Sequence, residues 1–240
     1  MKSLPTFEIK PIAILHSPFK QKFGLPRQSG LVHSCTASIE LLPPYNTLDA
    51  VKGLSDFSHI WLLFKFHQNK EDTYRPLIRP PRLGGNKKIG VFASRSPFRP
   101  NGLGLSQVKV INITSQNGKV LIEISCPDMI DQTPIFDIKP YITYSDCLPE
   151  AISGFAQTPP KLKLSVDFNE RSQLFIKENS HNYQDALKEL IIETLSYDPR
   201  PAYKTLNDSK SYTMRLFDLD IIWTVTDKKM KVTKIEKLVG

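Results

Sequence analysis

The stretch QVKVINITSQNGKVLIEIS (107–125) reads as two β-strands folded back on one another. Apolar and polar residues alternate on both sides of Asn117-Gly118, and a period of two places the apolar set on one face of a strand. Asn and Gly both tolerate the positive φ that a two-residue type I′ hairpin turn demands. Working outward, strand-like patterning recurs in FEIKPIAIL (7–15), ASIELL (37–42), HIWLLFKF (59–66) and KIGVFAS (88–94), giving six strands before residue 130. A short helix over TLDAVKGL (47–54) is the one helical element expected there. Strands that follow each other without long intervening helices build antiparallel sheets, not doubly wound α/β folds. The expectation is therefore a mainly β N-terminal domain, residues 1–146, forming a closed or nearly closed antiparallel barrel.

After residue 146 the pattern changes. HNYQDALKELIIETL (181–195) sets Tyr183, Leu187, Leu190, Ile191 and Leu195 on one helical face, with Ser180 or Asn182 as caps and Pro199 as the stop. YTMRLFDLDIIWTVTDKKMKVTKIEKL (212–238) alternates as two or three strands with a turn near Asp227-Lys228. A small α+β domain over 147–240 follows.

Composition excludes several classes. The chain of 240 residues is 40% hydrophobic and 23% charged, ordinary values for a globular protein. Cys35, Cys126 and Cys147 form no C-x-x-C pair, which argues against a disulfide framework or a zinc site, so no metal is expected. The N-terminus has no long apolar block, and a cytoplasmic protein is expected. The net charge is +8, and all of the excess lies in residues 1–145, with 18 Lys/Arg against 10 Asp/Glu. Nine basic residues fall between 65 and 100, against only Glu71 and Asp72. YRPLIRPPRLGGNKK (74–88) reads as an exposed loop, and its charge fits either a phosphate-binding surface or a solvated face.

Two glycine-rich stretches fail as nucleotide loops. Gly102-Leu103-Gly104-Leu105 lacks a third glycine and runs into a strand, and Gly84-Gly85-Asn86-Lys87-Lys88 lacks the P-loop spacing. What stands out instead is KIGVFASRSPFRPNGLGLS (88–106), where prolines fix the backbone beside two arginines and an asparagine. GVFASRSPFRPN, DMIDQTPIFDIKPYI (128–142) and YDPRPAY (197–203), in that order, resemble the TsaA-like (TrmO-type) tRNA methyltransferases over nearly the whole chain.

That resemblance implies an S-adenosylmethionine-binding β-barrel that methylates N6 of threonylcarbamoyl-adenosine beside the anticodon of threonine tRNA. It places the cofactor on Pro26, Arg27, Gln28, His67, Gln68, Arg95, Leu105 and Asp128 to Asp131, that is Asp128, Met129, Ile130 and Asp131. Such a set suits a ligand with a ribose diol, an adenine edge, a carboxylate and a sulfonium. Asp198, Arg200 and Tyr203 of the DPRPAY motif are the implied catalytic group, Asp198 as a base and Arg200 as a partner for the threonyl carboxylate. RNA is expected on Arg79, Arg82, Lys87, Lys88, Phe98, Arg99 and Asn101, with aromatic residues stacking on an unstacked base. A homodimer is expected for a two-domain enzyme of this type. The alternatives are a noncatalytic RNA-binding barrel and a methyltransferase for a small metabolite; cofactor binding and RNA-independent turnover separate them.

Overall fold

A computed structural model describes residues 5–69, 74–161, 164–201, 204, 208–227 and 229–238. Its N-terminal part contains β1 (Ala13–His16), β2 (Thr36–Leu41), β3 (His59–Lys65), the two-residue strands β4 (Leu77–Ile78) and β5 (Ile89–Gly90), then β6 (Leu103–Gln116), β7 (Lys119–Ser125) and β8 (Thr133–Pro140). Six of these pair in the order β1-β2-β7-β6-β3-β8, and β8 pairs back onto β1, so the sheet closes into a ring. Every pairing in the ring is antiparallel.

The alternation seen in the sequence is what fills the ring. Ile39 and Leu41 of β2, Ile60 and Leu62 of β3, and Ile122 and Ile124 of β7 point inward and are buried. Each such side chain contributes about 1.5–3 kcal/mol of burial energy, and slipping a strand by one residue would turn its apolar set outward. The register is pinned at the hairpin, where Gln116 pairs with Lys119 and the turn residues Asn117 and Gly118 have φ of 52° and 74°.

Three expectations for this half need correction. TLDAVKGL is not a helix but two 3-10 turns, Asp49–Val51 and Leu54–Asp56, separated by Gly53 at φ 80°. KIGVFAS is not a ring strand: only Ile89–Gly90 is extended, in a hairpin with Leu77–Ile78, and Val91–Ala93 forms a 3-10 turn. The ring's remaining strand is β8, in a stretch read from the sequence only as a motif. Pro134 and Pro140 masked it, since proline inside a run demotes a strand; Pro134 sits opposite Ile14 all the same. FEIKPIAIL also enters the sheet late, at Ala13, leaving Phe7 and Ile9 exposed.

The single-turn α1 (Thr143–Asp146) ends the N-terminal part, and the C-terminal part holds β9 (Ser165–Phe168), α2 (Glu170–Asn179), α3 (Leu187–Ser196), β10 (Asp208–Leu216), β11 (Leu219–Thr226) and β12 (Lys229–Lys237). Its sheet runs β10-β11-β12-β9, with β9 parallel to β12. α3 carries the expected apolar face: Leu187, Leu190, Ile191 and Leu195 are buried. It starts six residues later than the periodicity suggested, and Ala186, not Ser180 or Asn182, precedes it without a side-chain cap. The sequence reading missed α2, whose charged surface buries only Ser172 and Ile176. Its start is marked by Asn169, whose side chain accepts the Ser172 amide at 2.9 Å. The expected turn residue Lys228 lies outside the described residues, while Asp227 beside it has φ 51°.

The long β1–β2 connection fastens the halves together. Phe19, Val32 and Cys35 belong to the same buried cluster as α3 and the C-terminal sheet, and Phe23 stacks on Trp223 with ring centroids 6.3 Å apart. The Phe217 amide donates to the Pro18 carbonyl at 2.7 Å, and Glu193 accepts the amides of His33 and Ser34 at 2.8 and 2.9 Å. These contacts fix the loop that supplies one wall of the site.

Candidate active site

In an antiparallel ring, alternate strand ends face the same way. β1, β3 and β7 run toward one end and β2, β6 and β8 leave from it, so the connections 17–35, 66–102 and 126–132 gather there. They enclose a cleft of about 980 Å³. The tail of β3 and the head of β6 form its floor, with Phe64 opposite Gly104 and Lys65 opposite Leu103. The approach is close: a Cβ on Gly104 would overlap the Phe64 ring. Glycine there makes room for an aromatic wall, in which Phe64 and Phe66 meet edge to face at 5.0 Å. The Gly102–Leu105 stretch is thus a packing device of the cleft.

Ten of the eleven residues expected to hold the cofactor line this one cleft. Pro26, Arg27 and Gln28 come from the β1–β2 loop, and His67 and Gln68 follow β3. Arg95 descends from the β5–β6 connection, Leu105 from β6, and Asp128, Met129 and Ile130 from between β7 and β8. Arg95 Nη1 donates to Gln28 Oε1 at 2.5 Å, joining two of these segments. Asp131 is the exception. It stands behind the wall, accepting the Ser17 amide at 2.8 Å and pairing with Lys20 at 2.7 Å, where it holds the loop.

Two titratable groups are tuned by the cleft. Burial pushes the Asp128 carboxyl above the ordinary carboxylate range, against the opposing pull of the Ser106 hydroxyl, Arg95 and the Ser29 amide. Burial, with help from Lys22, lowers the His67 imidazole, so it is neutral at pH 7, and its Nδ1 lies 3.4 Å from the Thr133 hydroxyl. A half-buried acid held near charged and amide donors, beside an apolar floor, is a donor set that fits a nucleoside carrying a charged tail.

The basic loop borders the same opening. Arg79, Arg82, Lys88, Phe98 and Arg99 contribute to the cleft wall, and Arg79, Arg82, Lys87 and Lys88 are exposed. Lys87 and Asn101 lie outside the lining, and the Asn101 carbonyl accepts Lys65 Nζ at 2.9 Å. Arg99 turns back to donate to the Ser94 carbonyl at 3.0 Å. One face of Phe98 is already covered, since the Arg75 guanidinium sits 4.7 Å above the ring.

Comparison with known proteins assigns the chain. A family model described as the tRNA-methyltransferase O N-terminal domain matches residues 14–147, and the TrmO C-terminal domain model matches 161–238. The chain belongs to the tRNA-methyltransferase O family. It is 41% identical to an Escherichia coli protein named tRNA (adenine(37)-N6)-methyltransferase, over 97% of this chain and 99% of that one. It is 40% identical to a Pseudomonas aeruginosa protein named putative S-adenosylmethionine-dependent methyltransferase RcsF, over 91% of this chain and 92% of the relative. A crystal structure of TrmO from Pseudomonas aeruginosa superposes with a TM-score of 0.79 at 32% identity, covering 98% of this chain and all of that one.

For a member of this family the DPRPAY motif behaves unexpectedly. Asp198 and Arg200 do not reach the cleft. Arg200 is 1% exposed, and its Nε and Nη2 donate to the two carboxylate oxygens of Asp198 at 2.8 and 3.1 Å. The Arg200 amide also donates to Asp198 at 3.3 Å, and the guanidinium lies 5.9 Å from the Tyr212 ring centroid. An arginine with no free surface cannot bind a substrate carboxylate in this arrangement, and a carboxylate bridged by it is a poor proton acceptor. In this arrangement Asp198 and Arg200 satisfy each other as a clamp and do not face the cleft, with Asp198 in the left-handed region at φ 52° to turn the chain after α3. Tyr203 lies outside the described residues.

Sequence reasoning missed Lys22, Trp61, Phe64, Phe66, Thr133 and Phe155 in the cleft wall. Phe64 and Phe66 carried no distinguishing signal, because apolar residues at strand ends look like core. Gly104 opposite Phe64 was the available hint.

Proposed function

We propose that this chain is an S-adenosylmethionine-dependent methyltransferase that acts on adenine N6 at position 37 of tRNA, with threonylcarbamoyladenosine in the anticodon loop of threonine tRNAs as its substrate. The observation that carries this reading is the convergence of ten residues from five separate stretches on one cleft that opens beside an exposed basic loop. The names of the relatives support its coarser part, an S-adenosylmethionine-dependent methyltransferase acting on adenine N6 at position 37 of tRNA.

When bound, S-adenosylmethionine supplies a methyl group made electrophilic by its sulfonium. The protein's part is alignment and exclusion of water. Asp128, half-buried, is suited to the ribose diol, Arg95 and Gln28 to polar groups of the cofactor, and Phe64, Phe66 and Leu105 to an apolar surface against the adenine. His67, neutral at pH 7, is the cleft's own group able to accept the N6 proton as the new N–C bond forms. Arg79, Arg82, Lys87 and Lys88 hold the phosphate backbone. We further read the protein as cytoplasmic and homodimeric.

Mass spectrometry of nucleosides from tRNA incubated with the protein and S-adenosylmethionine tests the reading. A gain of one methyl on threonylcarbamoyladenosine is the expected result. Cofactor binding without methyl transfer to any tRNA would overturn it.

A further inference from the structure

A second cavity of about 320 Å³ adjoins the cleft. The two share the lining residues Leu25, Pro26, Arg27, Pro81 and Arg82, so they lie side by side at the opening of the cleft. The second cavity draws on both halves of the chain: Thr158 to Lys161 come from the connection before β9, Thr194 and Tyr197 from the end of α3, and Pro199 from the turn that Asp198 sets.

Its chemistry differs from that of the main cleft. Arg27, Arg82 and Lys161 bring three cations to its rim. Asp198 attracts Arg27 but is already bridged by Arg200. Positive charge is thus left over. The hydroxyl of Thr194, which lines the cavity, is buried and has no hydrogen-bond partner among the described residues. A buried hydroxyl without a partner is costly, and ligand oxygens are one way of satisfying it. Rigid walls from Pro81, Pro159, Pro160 and Pro199 keep the shape fixed without a ligand. At about 30 Å³ per water the volume equals roughly ten waters, room for a substituent of about ten non-hydrogen atoms.

We propose that this cavity is the subsite for the carboxylate-bearing substituent on the substrate's adenine N6. Arg82 and Lys161, with Arg27 at the shared wall, take the carboxylate, and the Thr194 hydroxyl takes a neighbouring oxygen. The proposal rests on the reaction proposed above and assigns its substrate discrimination. It also gives the substituent a place that the buried Arg200 cannot supply.

The test compares single-turnover rates on two tRNAs: one whose N6 substituent carries the free carboxylate, and one in which that carboxylate is capped as an amide. Wild-type protein methylates the free form faster by on the order of ten- to a hundredfold, the loss typical of a missing charge-assisted hydrogen bond. Lys161→Gln, at an exposed position that lines the second cavity but not the cleft, lowers the rate on the free form and leaves the capped form unchanged, which narrows the gap. Thr194→Val narrows it by a smaller factor. If these side chains served only phosphates, both tRNAs would slow equally. Equal slowing, or a wild-type preference undiminished in the variants, overturns the subsite and leaves the reaction standing. Failure of wild-type protein to methylate either tRNA overturns the reaction itself.

Discussion

Replacing Arg200 with alanine should unfold this protein more readily before it changes any chemistry. The guanidinium is 1% exposed and bridges both oxygens of Asp198 at 2.8 and 3.1 Å. Removing it leaves a carboxylate that is itself 8% exposed with its strongest partner gone. Breaking one side of a buried ion pair costs about 3–5 kcal/mol, most of it the penalty of the stranded charge. For a chain of this size each kcal/mol lowers Tm by about 2–4 °C, so a fall of roughly 6–20 °C is expected. The double variant Asp198→Asn with Arg200→Met should recover a large part of that loss, because no uncompensated charge stays buried. Thermal and denaturant unfolding followed through Trp223, which is fully buried in the C-terminal core, measures this directly. At a temperature where Arg200→Ala is still folded, S-adenosylmethionine binding should equal that of the wild type. A variant with unchanged Tm but impaired methylation would refute the structural clamp and restore a direct role for Arg200 in the substrate site.

Other perturbations test other parts of the argument. Asp128 holds its proton more tightly folded than unfolded, so its contribution to stability is full below the unfolded pKa and is lost as pH rises through the raised folded value. Asp128→Asn should therefore be more stable than wild type at pH 7, by about 0.5–2 kcal/mol, while losing cofactor affinity; a stability difference of the same size at pH 4 and pH 7 would contradict the burial argument. Gly104→Ala drives a methyl into the Phe64 ring and should cost about 1–3 kcal/mol, a cost that the double variant with Phe64→Leu relieves; no measurable loss would show that the ring is free to move. Neutralising Arg79, Arg82, Lys87 and Lys88 together should flatten the dependence of tRNA affinity on salt. The logarithmic slope should fall by about 0.9 for each duplex phosphate that is no longer neutralised, and by about 0.7 for each single-stranded one. A slope equal to that of the wild type would make these residues a solvated face.

The sequence spoke clearly where a local rule and the packing agreed. Ile39, between polar Ser38 and Glu40, Ile60 and Ile122 fall at every-second positions of their strands and are buried in the ring core, and Asn117-Gly118 turns where its backbone freedom said it would. It misled where tertiary contacts overrode the local pattern. KIGVFAS has strand-like residues but is drawn into a hairpin on the rim, whereas TPIFDIKP carries two prolines and still completes the ring, because β1 and β3 supply pairing on both its edges. The candidate cofactor residues came from the family resemblance of three motifs and not from residue types alone; ten of them line one cleft although they lie far apart in the chain. Which polar residues would face that cleft was not legible. Asp128 and Asp131 lie three residues apart in one motif, yet Asp128 opens onto the cleft while Asp131 is taken by Lys20 and the Ser17 amide. The same holds for Asp198 and Arg200: spacing two residues apart brings an acid and a cation together, but whether they meet a substrate or each other is decided by burial against Tyr212 and the turn after α3. An Asp-Pro-Arg stretch after a helix therefore points as much to a self-satisfying clamp as to catalysis, and exposure of the arginine is what distinguishes them.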